Sequence, residues 1–256
     1  MAKKDSQRIA EIREKANLQR RAQQKAEKRK TIIIQASIGV GILILVAAVV
    51  GGILIANNNK ATVVPPSADG TITVSGTAGI PLTVGDTSVT VGKSNAPVTL
   101  DIYEDYSCPH CADYEAAVGP TILRLIASGE VVVSYHPIQI VTSYGVAAGS
   151  AAACVAEKDA QNWPIFHSAL FANHSQTSDG WGASDFAAFA STLGVTDADT
   201  LSCISDASYS DWIRSNTDAA RADGVSSTPS LFINGEAQAS PLGVDDLIAA
   251  VNAAKG

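Results

Sequence analysis

Positive charge is scarce beyond the first thirty residues of this 256-residue chain. Residues 1–30 carry 11 Lys/Arg against 4 Asp/Glu; the whole chain is −7, so residues 31–256 carry −14. So acidic a stretch excludes a nucleic-acid backbone as its partner. The basic head contains no aromatic residue to stack on bases, so it reads as a solvated topology signal. Internal repeats and low-complexity tracts are also missing. Cysteine is rare: there are 4, none before residue 108, and only one close pair. A four-ligand zinc site usually needs a second close pair of ligands. Cys154 and Cys203 are 49 residues apart, and His167 and His174 have no standard ligand spacing, so zinc is disfavoured and no metal is expected.

Charge is absent altogether from Thr31 to Ile55, a run of 25 residues. As a helix this run would be about 37 Å long, enough to span roughly 30 Å of hydrocarbon with some tilt. Gln35 and Ser37 do not make the polar face that a core helix would show. The run is too long, and its basic flank too extended, for a cleaved signal peptide. It is expected to be a retained transmembrane helix in contact with membrane lipid. Lys28-Arg29-Lys30 precede it and only Lys60 follows closely, which places residues 1–30 in the cytoplasm and the rest outside. All 4 cysteines then lie where disulfides persist, with three possible connectivities.

Residues 56–70, polar with a Pro-Pro pair, read as a linker, and a domain is expected over 71–256. "TITVSG", "GIPLTVG" and "TSVTVG" are short strand candidates. In "APVTLDIYEDY" Val98, Leu100 and Ile102 alternate as in a strand. "PHCADYEAAVGPTILRLIASG" reads as a helix kinked by Pro120 and ended by Gly129. "EVVVSYHPIQI" is a second strong strand. The order is a βαβ unit with two thiols at the strand-to-helix turn. Residues of about 142–223 read as a helical insertion, with Ser184 an N-cap and Gly194 a stop. "SLFING" and "EAQAS" return to strand, and "GVDDLIAAVNAAKG" closes as a helix.

Cys108-Pro109-His110-Cys111 carries the chemistry. A cysteine at a helix start faces free N–H groups and the positive end of the helix dipole, which favour thiolate. Pro109 suits the first helical position because it has no N–H to waste. His110 adds a donor or a positive charge. Each lowers the pKa of Cys108 and makes the oxidised pair a stronger oxidant. Cys111, one turn on, can close a disulfide with Cys108 or resolve a mixed disulfide. A purely structural staple is poor here, because so short a loop removes little entropy. Cys154 and Cys203, if paired, close a loop of about 50 residues worth roughly 4 kcal/mol, a structural staple. The alternative is a second regulatory or substrate-handling pair.

Strand, CPHC, helix, strand, long helical insertion, "SSTPSLFING" and a last helix resemble the DsbA-type thiol-disulfide oxidoreductases of the thioredoxin superfamily. The likeness covers roughly residues 80–256 and is greatest to the membrane-anchored forms of Gram-positive actinobacteria. It implies an α/β thioredoxin fold with a helical insertion, preceded by a single transmembrane helix. It implies Cys108 as nucleophile and Cys111 as resolving thiol. It also implies a cis Thr228-Pro229 peptide that presents substrate-binding backbone beside the thiols. No bound cofactor is implied. The implied partners are reduced secreted or cell-envelope proteins and a quinone-linked membrane reoxidase. A reductase or isomerase on the same fold, and a non-catalytic anchored binding module, stay open. Many relatives place a buried acid six residues before the first cysteine; here that residue is Ile102. Glu104 could face the thiols by strand alternation, and Asp105 is expected in a turn or on the surface.

Overall fold

A computed structural model describes residues 63–255. The basic head, the apolar run 31–55 and most of the linker lie outside the described residues. Among the described residues no helix is long and apolar enough to cross a membrane.

Seven strands form one sheet: β1 Ala68–Val74, β2 Thr77–Val84, β3 Val89–Val91, β4 Val98–Glu104, β5 Val131–Pro137, β6 Ser230–Ile233 and β7 Glu236–Ala237. Their order across the sheet is β1-β2-β3-β5-β4-β6-β7. The first strand begins at Ala68, inside the expected linker. The end of that segment is docked: the Ser67 N–H donates to Glu157 Oε1 at 3.3 Å, and Val63 packs beside Trp212 and Ile213. From Val63, half-buried, the end of the expected linker thus belongs to the compact unit.

β4 lies near the middle of the sheet, parallel to β5 and antiparallel to β6. Its residues 98, 100, 102 and 104 are buried on one face, as the period of two requires. Between β4 and β5 runs α1, Pro109–Ser128. This is the expected βαβ unit. Pro120 lies within α1, which continues to Ser128. Gly129 ends it in the left-handed conformation, φ 77, and its N–H caps the carbonyls of Ile126 and Leu125. Ile122, Leu125 and Ile126 of α1 join Leu100, Ile102, Val131 and Val133 in the main core. Each such side chain, fully buried, contributes roughly 1.5–3 kcal/mol.

The insertion is helical throughout: α2 Tyr144–Lys158, α3 Trp163–Asn173, α4 Ala183–Thr192, α5 Ala198–Ser205 and α6 Ser210–Ala222, with two short 3₁₀ turns. In α2, residues 144–156 are buried except Ala147, and its Ala and Gly residues let neighbouring helices approach closely. Cys154 of α2 and Cys203 of α5 form a disulfide. The α4 N-cap is Gly182, not Ser184; Asp185 Oδ2 accepts the Gly182 N–H at 2.8 Å. An acid three residues into the helix reaches back to the free amide, and so sets the start two residues earlier. Helix α7, Val244–Ala254, closes the fold.

Candidate active site

The C-terminal end of β4 delivers the chain into a tight turn, Asp105–Ser107. Asp105 is fully buried rather than on the surface. Its Oδ1 accepts the Ser107 N–H at 2.8 Å and the Ser107 hydroxyl at 2.6 Å. Its Oδ2 accepts the N–H groups of Ile140 and Val141 at 2.6 and 2.8 Å. Four donors replace the water this carboxylate loses, so burial is tolerated. The effect is to clamp the turn to the segment after β5. A Cβ on Gly145 would run into Asp105 Oδ1, so glycine at the start of α2 leaves room for the clamp.

The clamped turn places Cys108 at the N-cap of α1, with φ −88 and ψ 118, and Pro109 at the first helical position. Both Cys108 and Cys111 are free thiols, 5% and 2% exposed. The Thr228–Pro229 peptide is cis, and the Thr228 carbonyl oxygen lies 3.4 Å from Cys108 Sγ. The sequence motifs separated by 120 residues therefore meet at one point.

Electrostatics divide the two sulfurs. The Cys108 thiol is brought down to about 5. The largest cause is a hydrogen bond from the Cys111 thiol; burial opposes it; Thr228 and the backbone N–H groups of Cys111 and His110 add to the lowering. The helix-end amides thus act as expected, but the neighbouring thiol does more. Cys111 is pushed far above the usual thiol range, first by its hydrogen bond to the Cys108 sulfur and then by burial. The arrangement holds one proton between two sulfurs and keeps it on Cys111.

Beside the thiols a groove of about 520 Å³ is lined by His110, Tyr114, Val118, Thr228, Pro229 and Leu242, among others. Most of that lining is apolar. His110 is exposed there, two residues from Cys108.

Beneath Cys111 lie ionisable side chains that sequence reasoning did not assemble. Glu104 is 4% exposed and His167 of α3 is also buried. His167 Nδ1 lies 2.8 Å from the Tyr106 hydroxyl, within hydrogen-bond reach, and 3.5 Å from Glu104 Oε1. His167 Nε2 lies 3.8 Å from Glu115 Oε2, ion-pair range but beyond a hydrogen bond. Burial raises Glu104 to about 7; His167 opposes that rise and Glu115 adds to it. Burial would raise Glu115 too, but His167 and the Ser168 hydroxyl hold it below the usual carboxylate range. Against its own burial, His167 is raised by the two carboxylates. Glu115 carried one sequence signal, its position four residues after Cys111 on the same helix face. His167 carried none, because only the fold brings α3 under the site.

Residues 84–253 match the family described as Thioredoxin. The Na⁺/H⁺ antiporter NhaA 3 of Salinispora tropica is 30% identical over 163 residues, 64% of this chain and 24% of the antiporter. The chain spans about a quarter of the length of the curated relatives it matches. The reduced disulfide bond oxidoreductase DsbG from Mycobacterium tuberculosis superposes with a TM-score of 0.57 at 26% identity, covering 66% of this chain and 88% of that one. Oxidised DsbA of the same organism gives 0.57 at 26% identity, covering 66% and 93%.

Proposed function

Because the chain belongs to the thioredoxin family, we propose that its thiol-disulfide oxidoreductase activity runs in the oxidising direction, on secreted or cell-envelope proteins. The observation that carries this reading is the thiol of Cys108, held at about 5 at the N-terminus of α1. A sulfur so stable as an anion is a good leaving group, and it stabilises the reduced pair. The oxidised pair is correspondingly ready to give its bond away. Likeness to DsbG and DsbA of M. tuberculosis supports the DsbA-type assignment.

The geometry supports the following exchange of thiols. A substrate thiolate attacks Sγ of Cys108, and the Cys108–Cys111 bond breaks. Cys111 leaves as thiolate and takes up a proton, which its buried position favours. The substrate's second thiolate then attacks the substrate sulfur of the mixed disulfide. Cys108 departs as a stable thiolate, the substrate has lost two electrons, and the enzyme has gained them. The apolar groove beside Thr228 and Pro229 receives an extended, partly unfolded segment, with Thr228 backbone available to it. No cofactor enters any step.

The run 31–55 anchors the chain in the membrane, with the catalytic domain outside the cytoplasm. A quinone-linked membrane partner takes the electrons away. The test is the equilibrium of Cys108–Cys111 with glutathione, together with reoxidative refolding of a reduced disulfide protein. An oxidising couple and loss of refolding activity in Cys108→Ser are expected. A strongly reducing couple assigns the chain to the reductases instead. Unchanged activity in Cys108→Ser reduces it to a binding module.

A further inference from the structure

The chemistry of the groove beside the thiols narrows what can enter it. One wall is α1, which contributes Asp113, Ala117 and Val118. The other is the segment before α7, with Pro241 and Leu242. Most of this surface is apolar and suits aliphatic carbon. Two hydroxyls interrupt it. Tyr114 Oη and Thr228 Oγ1 belong to lining residues, and both are buried without a protein hydrogen-bond partner. A guest made only of hydrocarbon would leave them unpaired, which is unfavourable. A peptide brings backbone N–H and carbonyl groups that can pair with them.

Formal charge in the groove has one sign. Asp113 is exposed, and among the described residues that line the groove there is no other carboxylate and no Lys or Arg. His110, three positions earlier, is the lining side chain that can become positive. The start of α7 also opens here, because Gly243 is both a lining residue and the N-cap of that helix. A helix start attracts anions. Asp245 and Asp246, exposed in the first turn of α7, answer that attraction within the helix itself. The complement of such a groove is a side chain with an apolar stem and a cationic end. Lysine and arginine have this form: the methylene stem lies along apolar surface while the charged head stays at the rim. Aspartate or glutamate in the same place would meet a like charge.

We propose that Asp113 selects substrate segments that carry a lysine or arginine close to the reacting cysteine. The helix sets how close. Asp113 is five positions after Cys108, or about 7.5 Å along the helix axis. An extended segment covers that distance in two to three residues, at about 3.3 Å each. The favoured segment therefore has its basic residue two or three places from its cysteine. The inference rests on the thiol chemistry proposed above and names the substrate class of that same groove.

The test uses the oxidised full-length chain in nonionic detergent and short reduced peptides with two cysteines. Two electrons pass from each peptide: its two thiols become a disulfide, and the Cys108–Cys111 disulfide becomes two thiols. The peptides differ in one residue, Lys, Leu or Glu, placed two or three positions from the first cysteine on either side. Ratios of initial rates are read, so a change in Cys108 reactivity common to all peptides cancels. At low salt the Lys peptide is expected to outrun the Leu peptide roughly twofold to fivefold, and the Glu peptide by more. Asp113→Asn is expected to erase the advantage of Lys over Leu, and Asp113→Lys to turn the order round in favour of Glu. Asp218→Lys makes the same change of net charge at an exposed position of α6 that does not line the groove, and is expected to keep the original order. Equal rates in the unmodified protein, a Leu peptide faster than both others, or an unchanged order in Asp113→Lys overturns the selection and leaves the oxidoreductase reading standing. An equal reversal in Asp218→Lys overturns it too, because the effect then belongs to the charge of the whole domain. Oxidation of none of the peptides overturns the oxidoreductase reading, and the selection with it.

Discussion

The fold shifts the Cys108 sulfur and the Glu104 carboxyl in opposite senses. Cys108 falls from the usual thiol value near 9 to about 5 in the folded, reduced chain. Between those values the unfolded chain holds a proton that the folded one has lost. Stability of the reduced protein from this group therefore rises from pH 5 to pH 9 and is lost as pH falls through 5. Glu104 rises from 4.5 to about 7. Its contribution is full below pH 4.5 and is lost as pH rises through 7. Cys108→Ser removes the first group and exposes the second. Urea unfolding of that variant is expected to show stability falling between pH 5 and 7, by up to about 3 kcal/mol. Adding Glu104→Gln should flatten the curve. A flat curve in Cys108→Ser alone would mean that Glu104 is not buried as described. The places of Cys108 and Pro109 at the start of α1 were legible because spacing and helix-end chemistry are local. Asp105 lies in the expected turn, but its burial was not legible: its four donors come partly from Ile140 and Val141, distant in sequence.

At the scale of elements, the βαβ unit and the last helix were legible from alternation and helical spacing alone. The insertion was legible as helix but not as packing. Its buried histidine and its small-residue helix α2 gain meaning only beside neighbours the sequence does not show. The disulfide between α2 and α5 closes a separation of 49 residues. Replacing both cysteines with alanine is expected to lower stability by about 4 kcal/mol, seen in denaturant midpoints. Reactivity of the Cys108–Cys111 pair should be kept in that variant, because the staple lies in the insertion. Loss of both together would show a second redox pair instead. Gly145→Ala tests the clamp. The new methyl group displaces the Asp105 carboxylate, leaving buried donors unpaired at a cost of about 1–3 kcal/mol. The expected signature is lower stability with a raised Cys108 pKa, since the turn that sets the N-cap moves. An unchanged thiol titration would free the active-site geometry from the clamp.

For the molecule as a whole, charge and topology decide what arrives at the site. Residues 31–256 carry −14, and like charges repel at range in low salt. Oxidation of a basic reduced protein is expected to slow as salt rises, while that of an acidic one should not. The proposed membrane topology is checked by labelling Cys108 in intact cells with an impermeant thiol reagent. Labelling from outside is expected; protection until lysis would reverse the orientation read from Lys28-Arg29-Lys30. The family matches 84–253, yet the same domain forms about a quarter of its longer curated relatives. Residues 84–253 include Cys108, Cys111 and the cis Thr228–Pro229 peptide. A helix start and a neighbouring thiol together hold one sulfur as an anion. Thiolate absorbance of the reduced protein, followed from pH 3 to 10 with Cys111→Ser beside it, tests this most directly. A Cys108 midpoint near 5 in the unmodified protein, shifted upward in the variant, is predicted; a midpoint near 9 in both would contradict it.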